Sequence, residues 1–158
     1  LLPPDGLLVA CGDYPDVVEV AGEARCPVAF YATGAGEVAG GLPGETWTVA
    51  VTGESGGMTG LRMTGGGRTL DFRLPLSGLH NAANAAGATV ILMRLGFPPD
   101  RIAAVFEGFT GFRRRQEEVG EFRGILVLDD FAHHPTAVRE TIRAVPGRYH
   151  ARRLVAVI

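Results

Sequence analysis

The stretch GILVLDDFAHHPTAVRETI, residues 124–142, passes from an apolar run through two acids, an aromatic and two histidines into a helical pattern. Ile125 to Leu128 is an unbroken apolar run that reads as a strand ending in acids. Residues 135–145 then place Val138, Ile142 and Val145 on one helix face. RLVAVI, residues 153–158, is a second apolar run and reads as another strand. Strand, crossover helix and strand within about 30 residues describe a βαβ unit, so an α/β architecture is expected. In an open parallel sheet, ligands bind beyond the carboxyl ends of the strands, where Asp129, Asp130, Phe131, His133 and His134 fall. Pro135 and Thr136 open the following helix, whose first turn offers free N–H groups to an anion.

Several chemistries fit this loop. The acids and one histidine can simply cap the turn and neutralise one another. Zinc is disfavoured, because adjacent histidines point apart and the chain supplies no convincing third and fourth ligand, so no metal ligand is assigned. A ligand-binding loop is favoured, with a carboxylate suited to a ribose diol and imidazoles suited to phosphate or ribose.

Upstream, TGFRRRQEEVG (110–120) breaks the periodicity and concentrates charge, which marks a domain junction near Gly111. Before it, Ile102, Val105, Phe106 and Phe109 share the face of a helix that Gly108 closes. GLHNAANAAGATVILMRLGFPPD (78–100) is a longer helix, stopped by Gly96 and Pro98. In it Asn84, Ala88, Ile91 and Leu95 recur at helical spacing, which directs Asn84 toward the packed side. From Thr46 to Pro75, alternating stretches punctuated by Gly-Gly pairs read as antiparallel strands. LLVA (7–10) and PVAFY (27–31) flank a short helix from Asp16 to Ala21, a small βαβ unit. No internal repeat is present.

Two further constellations stand out. Asn81 and Asn84 are the only asparagines in the chain, three apart on the first turns of a helix. A carboxamide pairs a donor with an acceptor, the pattern of an adenine edge, although an amino-terminal cap with one solvated amide fits as well. Arg113, Arg114 and Arg115 sit at the junction. Such a run is commonly solvated, yet arginine forks grip phosphates, and a hinge can close one onto a nucleotide.

Composition narrows the field. In 158 residues, 46% hydrophobic and 20% charged, no apolar run reaches the roughly 20 residues of a membrane helix. A net charge of −2 argues against a nucleic-acid binder. Cys11 and Cys26 are too few for a disulfide framework, which favours a reduced, cytoplasmic setting. All 15 basic residues are arginine, so the chain holds no phosphate-loop, Schiff-base or carbamoylated lysine. LLPPDG begins without methionine and RRLVAVI stops in mid-strand, so an excerpt of a longer protein is expected.

Taken in order and spacing, GLHNAANAAGA, FTGFRRRQEEVGE and GILVLDDFAHHPTAVRETI resemble the Mur ligases, the ATP-dependent amide-forming enzymes of peptidoglycan assembly. The likeness covers nearly the whole chain, loosely over residues 1–75. Phe131, Ala132 and the RRQE run resemble the murein peptide ligases of peptidoglycan recycling more than the alanine-adding branch, which has Tyr-Gly or Tyr-Ala there and Glu after the Thr. The resemblance implies that residues 1–111 are the later portion of a central ATP-binding domain with a mixed sheet. Residues 112–158 would then open a Rossmann-like carboxyl-terminal domain.

Residue by residue, the resemblance implies that Asn81 and Asn84 hold adenine with His80 beside them. It implies that Arg115 and Arg114 act on the nucleotide phosphates, that Asp130 meets the ribose, and that Phe131, His133 and His134 line the cleft. ATP and magnesium are implied, with the magnesium ligands upstream. The implied partners are UDP-N-acetylmuramate and the murein tripeptide L-alanyl-γ-D-glutamyl-meso-diaminopimelate, joined through an acyl phosphate with release of ADP and phosphate. No Gly-Lys-Thr/Ser loop and no UDP-sugar domain stand in this chain, so alone it is expected to be inactive, and no residue suggests a general base. The alternatives are the alanine-adding ligase and a non-catalytic nucleotide-binding module.

Overall fold

The computed structural model describes residues 2–34, 42, 44–149 and 153–157. In chain order the elements are β1 (Leu8–Cys11), α1 (Pro15–Gly22), β2 (Val28–Ala32), β3 (Glu45–Ser55), β4 (Met58–Gly65), β5 (Arg68–Leu74), α2 (Leu79–Arg94), α3 (Pro99–Glu107), β6 (Glu117–Phe122), β7 (Ile125–Asp129) and α4 (Pro135–Tyr149). Strands β1 to β5 form one sheet in sequence order, and β6 pairs with β7 in a second, two-stranded sheet. The first two pairings are parallel and the next two antiparallel, so β3 joins a βαβ unit to a meander in a single mixed sheet. The mixed α/β fold expected from the sequence is present.

Three tight turns organise the hairpins. Gly56-Gly57, Gly66-Gly67 and Arg123-Gly124 all have φ between 51° and 79°. Two consecutive left-handed residues make the turn whose twist matches that of paired strands. Above the main sheet, α2 presents Ala82, Ala85, Ala86 and Val90 to Trp47, Val49, Leu61 and Met63, all buried. The small side chains let the helix lie close to the strands. Gly87 extends that closeness, since a Cβ there would stand 2.9 Å from Tyr31 Cε1. Helix α3 covers β5, with Phe72 and Phe106 stacked at 5.1 Å. Ala10, Ala21 and Phe30 form a separate buried cluster involving β1, α1 and β2.

Several sequence expectations are corrected. The packed face of α2 is the alanine face, and Asn84 with Ile91 and Leu95 lies on the exposed side. Large apolar residues misled the reading, because close helix–sheet packing selects small ones. In α3, Ile102 is buried while Val105 is exposed. Helix α4 runs on through Pro146 to Tyr149, burying Ala144 and Val145 and leaving Ile142 exposed. Strand β6 occupies part of the segment read only as a charged junction. Its partly and fully exposed residues carry three glutamates, which hid the strand pattern. Residues 153–157 are exposed and outside any strand, and β7 pairs only with β6 among the described residues. The second βαβ unit is therefore not completed there, and part of RLVAVI, Ile158, lies outside the described residues.

Candidate functional site at the α3–β6 junction

The chain leaves α3 at Gly108 and reaches β6 through a turn with an unusual backbone. Arg114 (φ 59°) and Gln116 (φ 49°) both adopt left-handed conformations on either side of Arg115. Each costs about 1–3 kcal/mol for a residue with a Cβ, so the surroundings must hold them. They do so from the end of β7. The Gln116 N–H donates to Asp130 Oδ2 at 2.9 Å, and the Phe131 N–H donates to the Arg114 carbonyl at 2.8 Å. Asp130 Oδ1 accepts from the Ala132 N–H at 2.7 Å. Arg114 Nε lies 3.4 Å from Asp129 Oδ2, and its guanidinium covers the Phe131 ring at 4.8 Å. Glu117 Oε2 accepts from the Arg114 N–H at 2.6 Å.

This strapping brings the junction and the DDFAHH loop together. It also assigns the carboxylates structural work. Both Asp130 oxygens already accept backbone N–H groups. His133 Nδ1 lies 2.9 Å from the Phe131 carbonyl oxygen, and its ring is 5.0 Å from Phe131 and 5.2 Å from His134. The two imidazoles are therefore neighbours and do not point apart as expected. Among the described residues, no group of three or more His, Cys, Asp or Glu could hold a metal ion.

His80 stands at the start of α2. Burial lowers its pKa, opposed by the carboxylates of Glu140 and Asp130 and reinforced by the Arg115 guanidinium. Its Nδ1 is buried and has no hydrogen-bond partner among the described residues. Nearby, Gly78 is so close to α4 that a Cβ would stand 2.9 Å from Ala144 Cβ and 2.8 Å from His80 Cε1. The Asn81 side-chain amide donates to the Ser77 carbonyl at 2.7 Å, and the cap position of α2 is Gly78, with no side-chain cap hydrogen bond among the described residues. Asn84 is exposed one turn on.

A cleft of about 400 Å³ opens at the junction, lined by Leu76, Gly111, Arg113, Arg115, Gln116 and Arg148 among others. Of the residues singled out as candidates, it takes in Arg113 and Arg115 but not Arg114, His80, Asn81, Asn84, Asp130, Phe131, His133 or His134. Gln116 is 5% exposed, and its side-chain Oε1 has no partner among the described residues. Sequence reasoning missed Gln116 and Arg148 as cleft residues. Gln116 stood inside a motif used only for its likeness, and nothing in a helical arginine signals that it reaches a distant loop. Arg113, Arg115 and the buried acceptor suit an anionic ligand that also carries a hydrogen-bond donor, while Glu117 and Glu118 also line the cleft and Arg148 lies 3.6 Å from Glu118.

Residues 114–158, which contain this turn and loop, match the family model described as Mur ligase, glutamate ligase domain. Mur ligases are ATP-dependent amide-bond-forming enzymes. The chain is 39% identical over 152 residues to the UDP-N-acetylmuramate–L-alanine ligase of Arthrobacter sp. (strain FB24), a match covering 91% of this chain. It spans only 29% of that relative's length. Among solved structures, it is similar to the UDP-N-acetylmuramate-alanine ligase of Thermotoga maritima, with a TM-score of 0.65 and 20% identity, over 92% of this chain and 39% of that one. The MurF ligase of the same organism, in complex with ADP, gives a TM-score of 0.68 at 16% identity over 91% of this chain and 31% of that one. Both show the fold.

Relatives such as these are named as alanine ligases, which fits the alanine-adding alternative better than a murein peptide ligase. The structure supplies a reason why Phe131 was a poor discriminator. Its ring lies under Arg114 and against His133, contacts that any aromatic ring at that place can make. Among the described residues, no helix is long and apolar enough to cross a membrane.

Proposed function

We propose that this chain supplies part of the nucleotide site of an ATP-dependent ligase that joins UDP-N-acetylmuramate to L-alanine. The observation that carries the reading is the left-handed turn presenting Arg115 into a cleft with Arg113 and Arg148, within a segment that matches the Mur ligase family model. The similarity to alanine ligases supports alanine over the tripeptide as the amine. On this reading residues 1–111 belong to the ATP-binding domain and 112–158 to the carboxyl-terminal domain.

In the reaction, a carboxylate oxygen attacks the γ-phosphoryl group of ATP and releases ADP. The amine then attacks the acyl phosphate and expels phosphate. Charge grows on the transferred phosphoryl oxygens, and positioned cations are the main source of rate. This chain has no lysine, so its contribution there is arginine, with Arg115 on the phosphates and Arg114 braced by Asp129. His80, Asn81 and Asn84 flank the adenine, and Phe131, His133 and His134 close the same side. The described residues do not fit a magnesium site, and no step is assigned to one here.

The test is phosphate release from ATP by the full-length protein with UDP-N-acetylmuramate and either L-alanine or the tripeptide. Release that depends on alanine supports the reading, and Arg115→Ala is expected to lower kcat/KM by about 10²-fold. Release that depends on the tripeptide alone, or no release with either amine, overturns it.

A further inference from the structure

We propose that the junction cleft is a site for free orthophosphate, which Gln116 distinguishes from other dianions by its proton. The inference rests on the reading above, in which a phosphoryl group is transferred at this junction and then expelled. Glu117, Glu118 and Arg148 line the cleft but are engaged within the protein. Glu117 accepts the Arg114 N–H at 2.6 Å, and Glu118 accepts the Tyr149 hydroxyl at 2.9 Å and lies 3.6 Å from Arg148. Arg113 and Arg115 form no salt bridge among the described residues, which leaves two guanidinium forks for an anion. Beside them Gln116 is 5% exposed, and its Oε1 is buried with no partner among the described residues. A buried acceptor left unpaired is costly, so a ligand that brings a donor to it gains. The cleft thus asks for a small anion that also donates one hydrogen bond. The phosphorus species of the reaction differ in this respect. At mildly alkaline pH the terminal phosphoryl groups of ATP and of the acyl phosphate are fully ionised and carry no O–H. When the amine attacks the acyl carbon, the carbon–oxygen bond breaks with its electron pair on the phosphate oxygen. The proton that the amine gives up balances the leaving group as hydrogen phosphate. That dianion carries one O–H, so it satisfies Gln116 where its precursors do not.

Sulfate supplies the comparison, since it has the shape and charge of hydrogen phosphate without the O–H. Calorimetry on the full-length protein at mildly alkaline pH, with inorganic phosphate and with sulfate, tests the site, and a separate titration with ADP tests the nucleotide reading. Wild-type protein is expected to hold phosphate about tenfold more tightly than sulfate, because sulfate leaves the buried acceptor unpaired. Gln116→Met, close in length and without an acceptor, should lose that preference. Arg113→Ala and Arg115→Ala should weaken both anions alike. The wild-type comparison needs no variant, so it decides the matter if Gln116→Met does not fold. Equal affinity for the two anions, which an amide turned to present Nε2 would give, overturns the inference, as does no affinity for either. A preference retained in Gln116→Met overturns it too. Displacement of phosphate by L-alanine would assign the cleft to the amine and overturn it as well. Protein that prefers phosphate to sulfate yet binds no ADP overturns the nucleotide reading and leaves the phosphate site standing.

Discussion

Replacing Gly78 by alanine probes the approach of α4 to the start of α2, on which the position of His80 depends. Gly78 has φ 99° and ψ 145°, a region that only glycine enters freely. The backbone term alone is about 1–3 kcal/mol. The new Cβ would also stand 2.9 Å from Ala144 Cβ and 2.8 Å from His80 Cε1, well inside van der Waals contact. Forcing an atom into a filled contact adds about 1–3 kcal/mol. Gly96 supplies the control, since its φ is 87° and nothing lies within 4 Å of its added Cβ. Gly96→Ala therefore carries a positive-φ backbone cost of its own without the clash. Urea unfolding of the two variants should differ by about 1–3 kcal/mol, with Gly78→Ala the weaker. Adding Ala144→Gly should restore part of the loss in Gly78→Ala but cost about 0.5–1 kcal/mol in the parent, as glycine does inside a helix. Equal destabilisation by Gly78→Ala and Gly96→Ala would refute the contact with α4.

Three further outcomes are expected. Arg123 has φ 51° in the turn between β6 and β7, where asparagine is preferred, so Arg123→Asn should stabilise the protein by about 1 kcal/mol; an unchanged or lower Tm contradicts the turn assignment. Burial lowers the His80 pKa from 6.5, so the unfolded chain binds the proton more readily. Stability should therefore fall as the pH drops through 6.5, and the part of that fall due to this residue should vanish in His80→Gln, as read by denaturant midpoints against pH. Gly87→Ala would place a Cβ 2.9 Å from the Tyr31 ring, whose hydroxyl is pushed up to about 12 mainly by burial; displacement of the ring should bring the spectrophotometric titration down toward the ordinary tyrosine range, and an unmoved titration would show that the ring does not rest on α2.

The sequence by itself determined the elements whose cause is local. Gly-Gly pairs placed two of the tight turns, alternating residues marked β3 to β5, and Gly96 with Pro98 closed α2. The DDFAHH loop was legible as the end of a strand before a helix, because Ile125 to Leu128 and Pro135 mark those edges in the chain itself. Only the tertiary structure decided which face of α2 packs. The burial of Ala82, Ala85 and Ala86 over Ile91 and Leu95 depends on how near a sheet comes, and spacing along one helix holds no record of that distance. The same holds for β6, whose glutamates read as a solvated run until β7 supplies its hydrogen bonds. It holds also for the site. That Asp130 grips the backbone beside Arg115, and that Arg148 reaches their cleft, are contacts across 14 and more than 30 positions, set by the pairing of β6 with β7 and the return of α4. Local propensity acts over a few residues, and such distances are closed only when the packed chain closes them.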